Sequence, residues 1–139
     1  MKLSFVGIVA LLATATAATP IAEPAANVAA ADWNCYGING GGGLANLKKV
    51  HAGFNKVFGD ARLKMARGQC YMAKCHGYYF GVCNAATVTK TETSGHRNVA
   101  KNANPESGNV CTIIPGDKDL AYYYGSYIMR GRITDIRYC

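Results

Sequence analysis

Six cysteines, three histidines and a run of tyrosines are the side chains that could do chemistry, and their spacing decides between catalysis, metal binding and cross-linking. Catalysis needs a nucleophile beside a base, a carboxylate pair, or a bound metal. The acids Asp60, Glu92, Glu106, Asp117, Asp119 and Asp135 are scattered, and His51, His76 and His96 stand far from one another in sequence. A ribonuclease could still assemble His76, Glu92, His96 and an arginine in space, and a basic surface would suit RNA. Tyr122, Tyr123, Tyr124 and Tyr127 could stack on sugars or bases, or could form a strand half-sunk in the core with its hydroxyls at the surface. No residue set here spells an enzyme, so a non-catalytic protein without a cofactor and without a nucleic-acid partner is the leading expectation.

Cys35, Cys70, Cys75, Cys83, Cys111 and Cys139 form an even set. A metal site built from Cys70, Cys75, His76 and Cys83 would need the short Cys-x-x-Cys steps of zinc modules, which the spacing lacks. Three disulfides are expected, in a pairing that spacing leaves open. The N-terminal residues supply the compartment: Lys2, an uncharged apolar run from Leu3 to Leu12, then the small residues Ala15, Thr16 and Ala17. That is the pattern of a cleavable signal peptide, expected over residues 1–18, and an exported chain meets oxidising conditions. The run falls short of the roughly 20 apolar residues that cross a bilayer, so no membrane-spanning segment is expected in the mature protein. Residues 19–32, with Pro20, Pro24 and many alanines, read as a disordered leader or pro-segment.

Residues 33–139 remain as one cysteine-rich module, expected to be a monomer. Only Lys2 of the 15 Lys and Arg precedes it, but Glu23 and Asp32 of the 8 Asp and Glu do, so the module is more basic than the whole chain at +7. Such a surface favours anionic partners, namely lipid headgroups, acidic glycans, nucleic acid or the acidic mouth of a cation channel, without specifying which. Lys48, Lys49, Arg130 and Arg132 are basic residues expected to steer association with such a target.

The elements that must position these residues follow from periodicity. Leu44, Leu47, Val50, Phe54, Val57 and Phe58 recur at steps of three and four, which predicts a helix over residues 44–58 with Gly59 as its stop. The glycine-rich stretch before it, residues 37–43, lacks the Gly-Lys-Ser/Thr ending of a phosphate loop and reads as a flexible lead. Residues 68–74 and 78–84 predict a hairpin turning at Cys75, His76 and Gly77, with Cys70 and Met72 on one strand and Phe80 and Val82 on the other as core candidates. Residues 87–93 alternate polar and Thr-rich as an edge strand or loop. Residues 94–103 predict a short second helix capped by Ser94. Residues 110–114, 120–129 and 132–138 read as strands.

The order Asn34-Cys35-Tyr36-Gly37, a glycine-rich loop, an amphipathic helix, Ala73-Lys74-Cys75, an aromatic strand to Cys83, Gly108-Asn109-Val110-Cys111 and the closing stretch from Arg130 to Cys139 resembles the killer protein four type of fungal killer toxins. The resemblance implies a small α+β fold: a disulfide-stapled α/β sandwich, its antiparallel sheet carrying one or two helices on one face. It implies a secreted toxin or host-directed effector. The type member blocks a calcium channel and depends on a lysine just before a hairpin cysteine, a position that Lys74 resembles. On the tip of a rigid hairpin, such a lysine would offer a compact positive charge to a ring of carboxylates. The resemblance also implies a Cys35–Cys111 bridge. The type member has more cysteines than the six here. The alternatives are the ribonuclease-like enzyme above and an aromatic-rich binder of cell-wall glycan.

Overall fold

The computed structural model describes residues 31–37, 42–105, 109–116, 118–127 and 135–139. Residues 1–18, expected to be a signal peptide, and nearly all of the expected leader, 19–32, lie outside them. Eight strands and two helices follow in the order β1 (Asn34–Tyr36), α1 (Gly43–Phe58), β2 (Lys64–Met65), β3 (Cys70–Cys75), β4 (Tyr78–Asn84), β5 (Lys90–Thr91), α2 (Ser94–Asn102), β6 (Val110–Ile113), β7 (Leu120–Gly125) and β8 (Asp135–Tyr138). The fold is α+β: a six-stranded sheet in the order β1-β6-β7-β4-β3-β8, a small β2-β5 ribbon, and both helices on one face of the large sheet.

α1 forms where the periodicity places it, and Leu47, Val50 and Phe54 are fully buried against the sheet. Gly59 ends the helix with a left-handed φ of 80° while donating its N–H to Asn55 O at 2.8 Å. β3 and β4 form the predicted hairpin, closed by a two-residue turn in which His76 and Gly77 both take positive φ, 55° and 81°. Positive φ at both central positions is the turn whose twist matches the strands on either side.

Several expectations change. The sheet is mixed, not antiparallel throughout, because β8 runs parallel to β3, pairing Tyr71 with Asp135 through to Lys74 with Tyr138. Of residues 87–93, only Lys90 and Thr91 pair as strand. The cap of α2 is Thr93, whose extended backbone lets its hydroxyl accept the His96 N–H at 3.4 Å, while Ser94 is already helical. Phe80 and Val82 join the core beneath α1; Cys70 and Met72 are buried as expected, but on the opposite face of the sheet.

All six cysteines are bridged: Cys35–Cys111, Cys70–Cys83 and Cys75–Cys139. The first is the bridge that the resemblance implies. Trp33 ties the start of β1 to the far helix by donating its indole N–H to Ala100 O (3.1 Å) and Ala103 O (3.2 Å). Asn84, almost wholly buried, staples the ribbon to the sheet by donating to Met65 O (3.0 Å) and Val88 O (2.8 Å) and accepting from Ala86 N–H. Among the described residues, no helix is long and apolar enough to cross a membrane.

Candidate functional site

Successive side chains of a strand point to opposite faces of its sheet. On β3 the inward set is Tyr71, Ala73 and Cys75: Tyr71 lies 5.3 Å from the Phe58 ring of α1, Ala73 is fully buried, and a Cβ on Gly53 of α1 would land on the sulfurs of Cys75 and Cys139. Cys70, Met72 and Lys74 therefore stand on the face that carries no helix. Lys74 is thus a face residue one step before the hairpin's closing pair, not a tip residue; His76 and Gly77 form the tip.

Strand register builds the surroundings of Lys74. It pairs with Tyr79 on β4 and with Tyr138 on β8, so a tyrosine flanks it on each side. Tyr79 stands opposite Gly125 of β7. A Cβ on Gly125 would strike Asn109 O and approach Val110 Cα, so the row dips there before it reaches Tyr36, which pairs with Val110 at the far edge. With strands about 4.8 Å apart, the row crosses about 24 Å of sheet. Its ends are open to solvent, Tyr36 at 58% and Tyr138 at 70% exposure.

Lys74 is held firmly. Its ammonium sits 5.1 Å from the Tyr79 ring centroid, within cation–π range. Its carbonyl accepts the Cys139 N–H at 3.2 Å, and the next residue is bridged to Cys139. Among the described residues it has no acidic partner. Beside this row lies a second one containing Tyr123, Gly81, Met72 and Ile136. Gly81 leaves room for the Met72 thioether to lie flat, and burial raises the Tyr123 pKa.

The other basic residues do not join Lys74 here. Lys48 and Lys49 are exposed on α1, beyond the opposite face of the sheet, while Arg130 and Arg132 lie outside the described residues. The tyrosine run divides by strand alternation. Tyr122 and Tyr124 enter the core, Tyr123 faces the open side, and Tyr127 is exposed. Burial and the neighbouring Tyr78 hydroxyl raise the Tyr124 pKa to about 12. Tyr79 was within reach of sequence reasoning, since a two-residue turn at 76–77 pairs 74 with 79. Tyr138 was not, because its place depends on a long-range parallel pairing.

The residues considered for catalysis are dispersed. Glu92 is fully buried and committed: Arg97 Nε donates to Oε1 at 2.6 Å, Arg97 Nη2 donates to Oε2, and the Tyr122 hydroxyl donates to Oε1 at 2.8 Å. Burial, with the Glu92 carboxylate beside it, pushes the Tyr122 pKa strongly up. His76 is at the exposed hairpin tip and His96 is in the first turn of α2. His51 is only 6% exposed, and burial, aided by Arg97 and Lys101, lowers its pKa to about 4. Among the described residues, no group of three or more His, Cys, Asp or Glu is arranged to hold a metal. Comparison of the chain with protein-family models, curated proteins and solved structures finds no match.

Proposed function

We propose that this protein is a secreted toxin or effector of killer-toxin type that acts by binding, without a catalytic step, through the open sheet face around Lys74. The reading rests on one observation: a lysine with no acidic partner among the described residues lies over the Tyr79 ring, in register with Tyr138 on its other side, on a strand bridged through the next residue to Cys139. A lysine ammonium is a compact point charge, and fixing it beforehand lowers the entropy lost on docking. Its target is an anionic surface on a competing or host cell, with the acidic mouth of a calcium channel the proposed case. Three disulfides suit an extracellular life, and the Cys35–Cys111 bridge agrees with the resemblance. Lys48 and Lys49, on the far side, contribute only long-range attraction.

The test is growth inhibition of sensitive fungal cells. Inhibition relieved by added calcium, weakened by salt and abolished by Lys74→Ala, with the fold retained, supports the proposal. Undiminished inhibition by Lys74→Ala removes it. The row Tyr36, Tyr79 and Tyr138 favours a second reading, a binder of cell-wall glycan, because sugars stack on tyrosine rings held in line across a sheet. Salt-insensitive pull-down by insoluble glycan, lost in Tyr36→Ala and Tyr138→Ala, would select that reading instead.

A further inference from the structure

Away from the Lys74 face, on the helical side of the molecule, α1, α2 and the segment around β5 enclose a cleft of about 1110 Å³. His51 is one of its lining residues, nine-tenths buried, and its Nε2 has no hydrogen-bond partner. Buried polar atoms are nearly always satisfied, and an imidazole nitrogen is either a donor or an acceptor, so an orphan at a cleft points to something that fills the cleft. The neighbours cannot serve it. Arg97 Nη1 is spent on Asn55 Oδ1 (2.8 Å) and Gly59 O (2.7 Å), and the rest of its guanidinium is turned to Glu92.

The cleft is also prepared for negative charge. Its wall includes the first turn of α2, which holds no acidic residue. Thr93 caps only the His96 N–H, so the amides of Ser94 and Gly95 have no acceptor within the helix. Lys101 and Arg62 line the same space, and among the described residues neither has a carboxylate partner. Glu92 is neutralised by Arg97, which leaves Asp60 as the one uncompensated carboxylate in the lining.

We propose that this cleft binds a small polar molecule through an oxyanion, a phosphate or a carboxylate, held by the first-turn amides of α2 with Lys101 and Arg62, while His51 Nε2 hydrogen-bonds the same ligand. The site is independent of the Lys74 face. Burial, with Arg97 and Lys101 adding to it, holds His51 neutral, and an oxyanion here offsets the cationic part, so binding raises its pKa from about 4. Arg97 and Lys101 act on that imidazole, and the other charged groups lining the cleft are Asp60, Arg62 and Glu92.

The experiment is an NMR titration of the full module with inorganic phosphate and, separately, with glucuronate. The expected result is saturable shifts of the Ser94 and Gly95 amides, an upward move of the His51 titration, and affinity about tenfold weaker in Lys101→Gln. Lys48→Gln, a change on the exposed side of α1, leaves the affinity unchanged. Response to phosphate alone assigns a phosphorylated ligand, and response to glucuronate alone assigns an acidic sugar. No saturable shift with either anion overturns the site, as does equal weakening by Lys48→Gln, which would mean attraction by net charge only. Because His51→Asn can disturb packing against Phe80, the lysine variants carry the decision.

Discussion

A proton on His51 would place a third positive charge beside Arg97 and Lys101 inside the α1–α2 contact, and the fold resists it. The folded pKa is lowered from 6.5 to about 4, chiefly by burial. Above pH 6.5 the imidazole is neutral whether the chain is folded or not, and stability does not depend on it. Between the two values the unfolded chain binds a proton that the folded chain refuses, so stability declines as pH falls, by about 3 kcal/mol in all. Urea denaturation at pH 7, 5 and 4 should show this decline, and His51→Leu should flatten it; an equal slope in both proteins would assign acid sensitivity elsewhere. Glu92 is the opposite kind of buried group, a charge fully matched by Arg97 and Tyr122. Glu92→Gln leaves the Arg97 guanidinium buried with half its pairing gone and should cost about 3–5 kcal/mol. Tyr122→Phe removes one hydrogen bond to that carboxylate and should cost about 2 kcal/mol. Chemical denaturation of the two variants reads both values.

Among the elements, α1 and the β3–β4 hairpin are where local sequence and tertiary need agree. Within α1, Gly53 looks like a defect, since alanine in a helix interior is better by about 1 kcal/mol. Yet a Cβ at this position would land on the sulfurs of Cys75 and Cys139, so Gly53 is what lets the helix lie on the bridge. Gly53→Ala should therefore destabilise the fold by about 1–3 kcal/mol, whereas a gain in thermal midpoint would mean the helix shifts freely. At the hairpin, His76 occupies a left-handed position that asparagine tolerates better, and His76→Asn should raise stability by about 0.5 kcal/mol. The helix and hairpin were legible because their signals are local: apolar residues at steps of three and four, and turn residues between two aromatic runs. Less was legible where one contact chose between local options. Ser94 and Thr93 are both good caps, and only the extended backbone at Thr93 decides. Cys70 and Met72 alternate with Ala73 as any strand would, and only the side on which α1 docks says which set packs beneath the helix. The same ignorance hid part of the site: Lys74 stood out and the hairpin puts Tyr79 beside it, but Tyr138 comes from β8 and meets it through a parallel pairing the local sequence does not encode.

For the whole molecule, the bridges govern the edges of the sheet. β1 and β8 are both short outer strands, and each is tied inward, β1 by Cys35–Cys111 and β8 by Cys75–Cys139, while Cys70–Cys83 joins neighbours within the hairpin. Loop-closure entropy ranks them. Bridges that span 76 and 64 residues restrict the unfolded chain by about 4–5 kcal/mol each, and the one spanning 13 residues by about 3 kcal/mol. Removing Cys75–Cys139 by paired alanine substitution should thus cost more stability than removing Cys70–Cys83. It should also have a consequence that stability does not predict. β8 pairs Tyr138 with Lys74, and the Cys139 N–H donates to the Lys74 carbonyl, so releasing that edge takes away the strand beside the lysine. At a temperature where both double variants remain folded, the proposed binding face should fail in Cys75→Ala/Cys139→Ala and survive in Cys70→Ala/Cys83→Ala, as read by growth inhibition. Equal activity of the two would separate Lys74 from its edge strand and leave the ammonium alone as the recognition element.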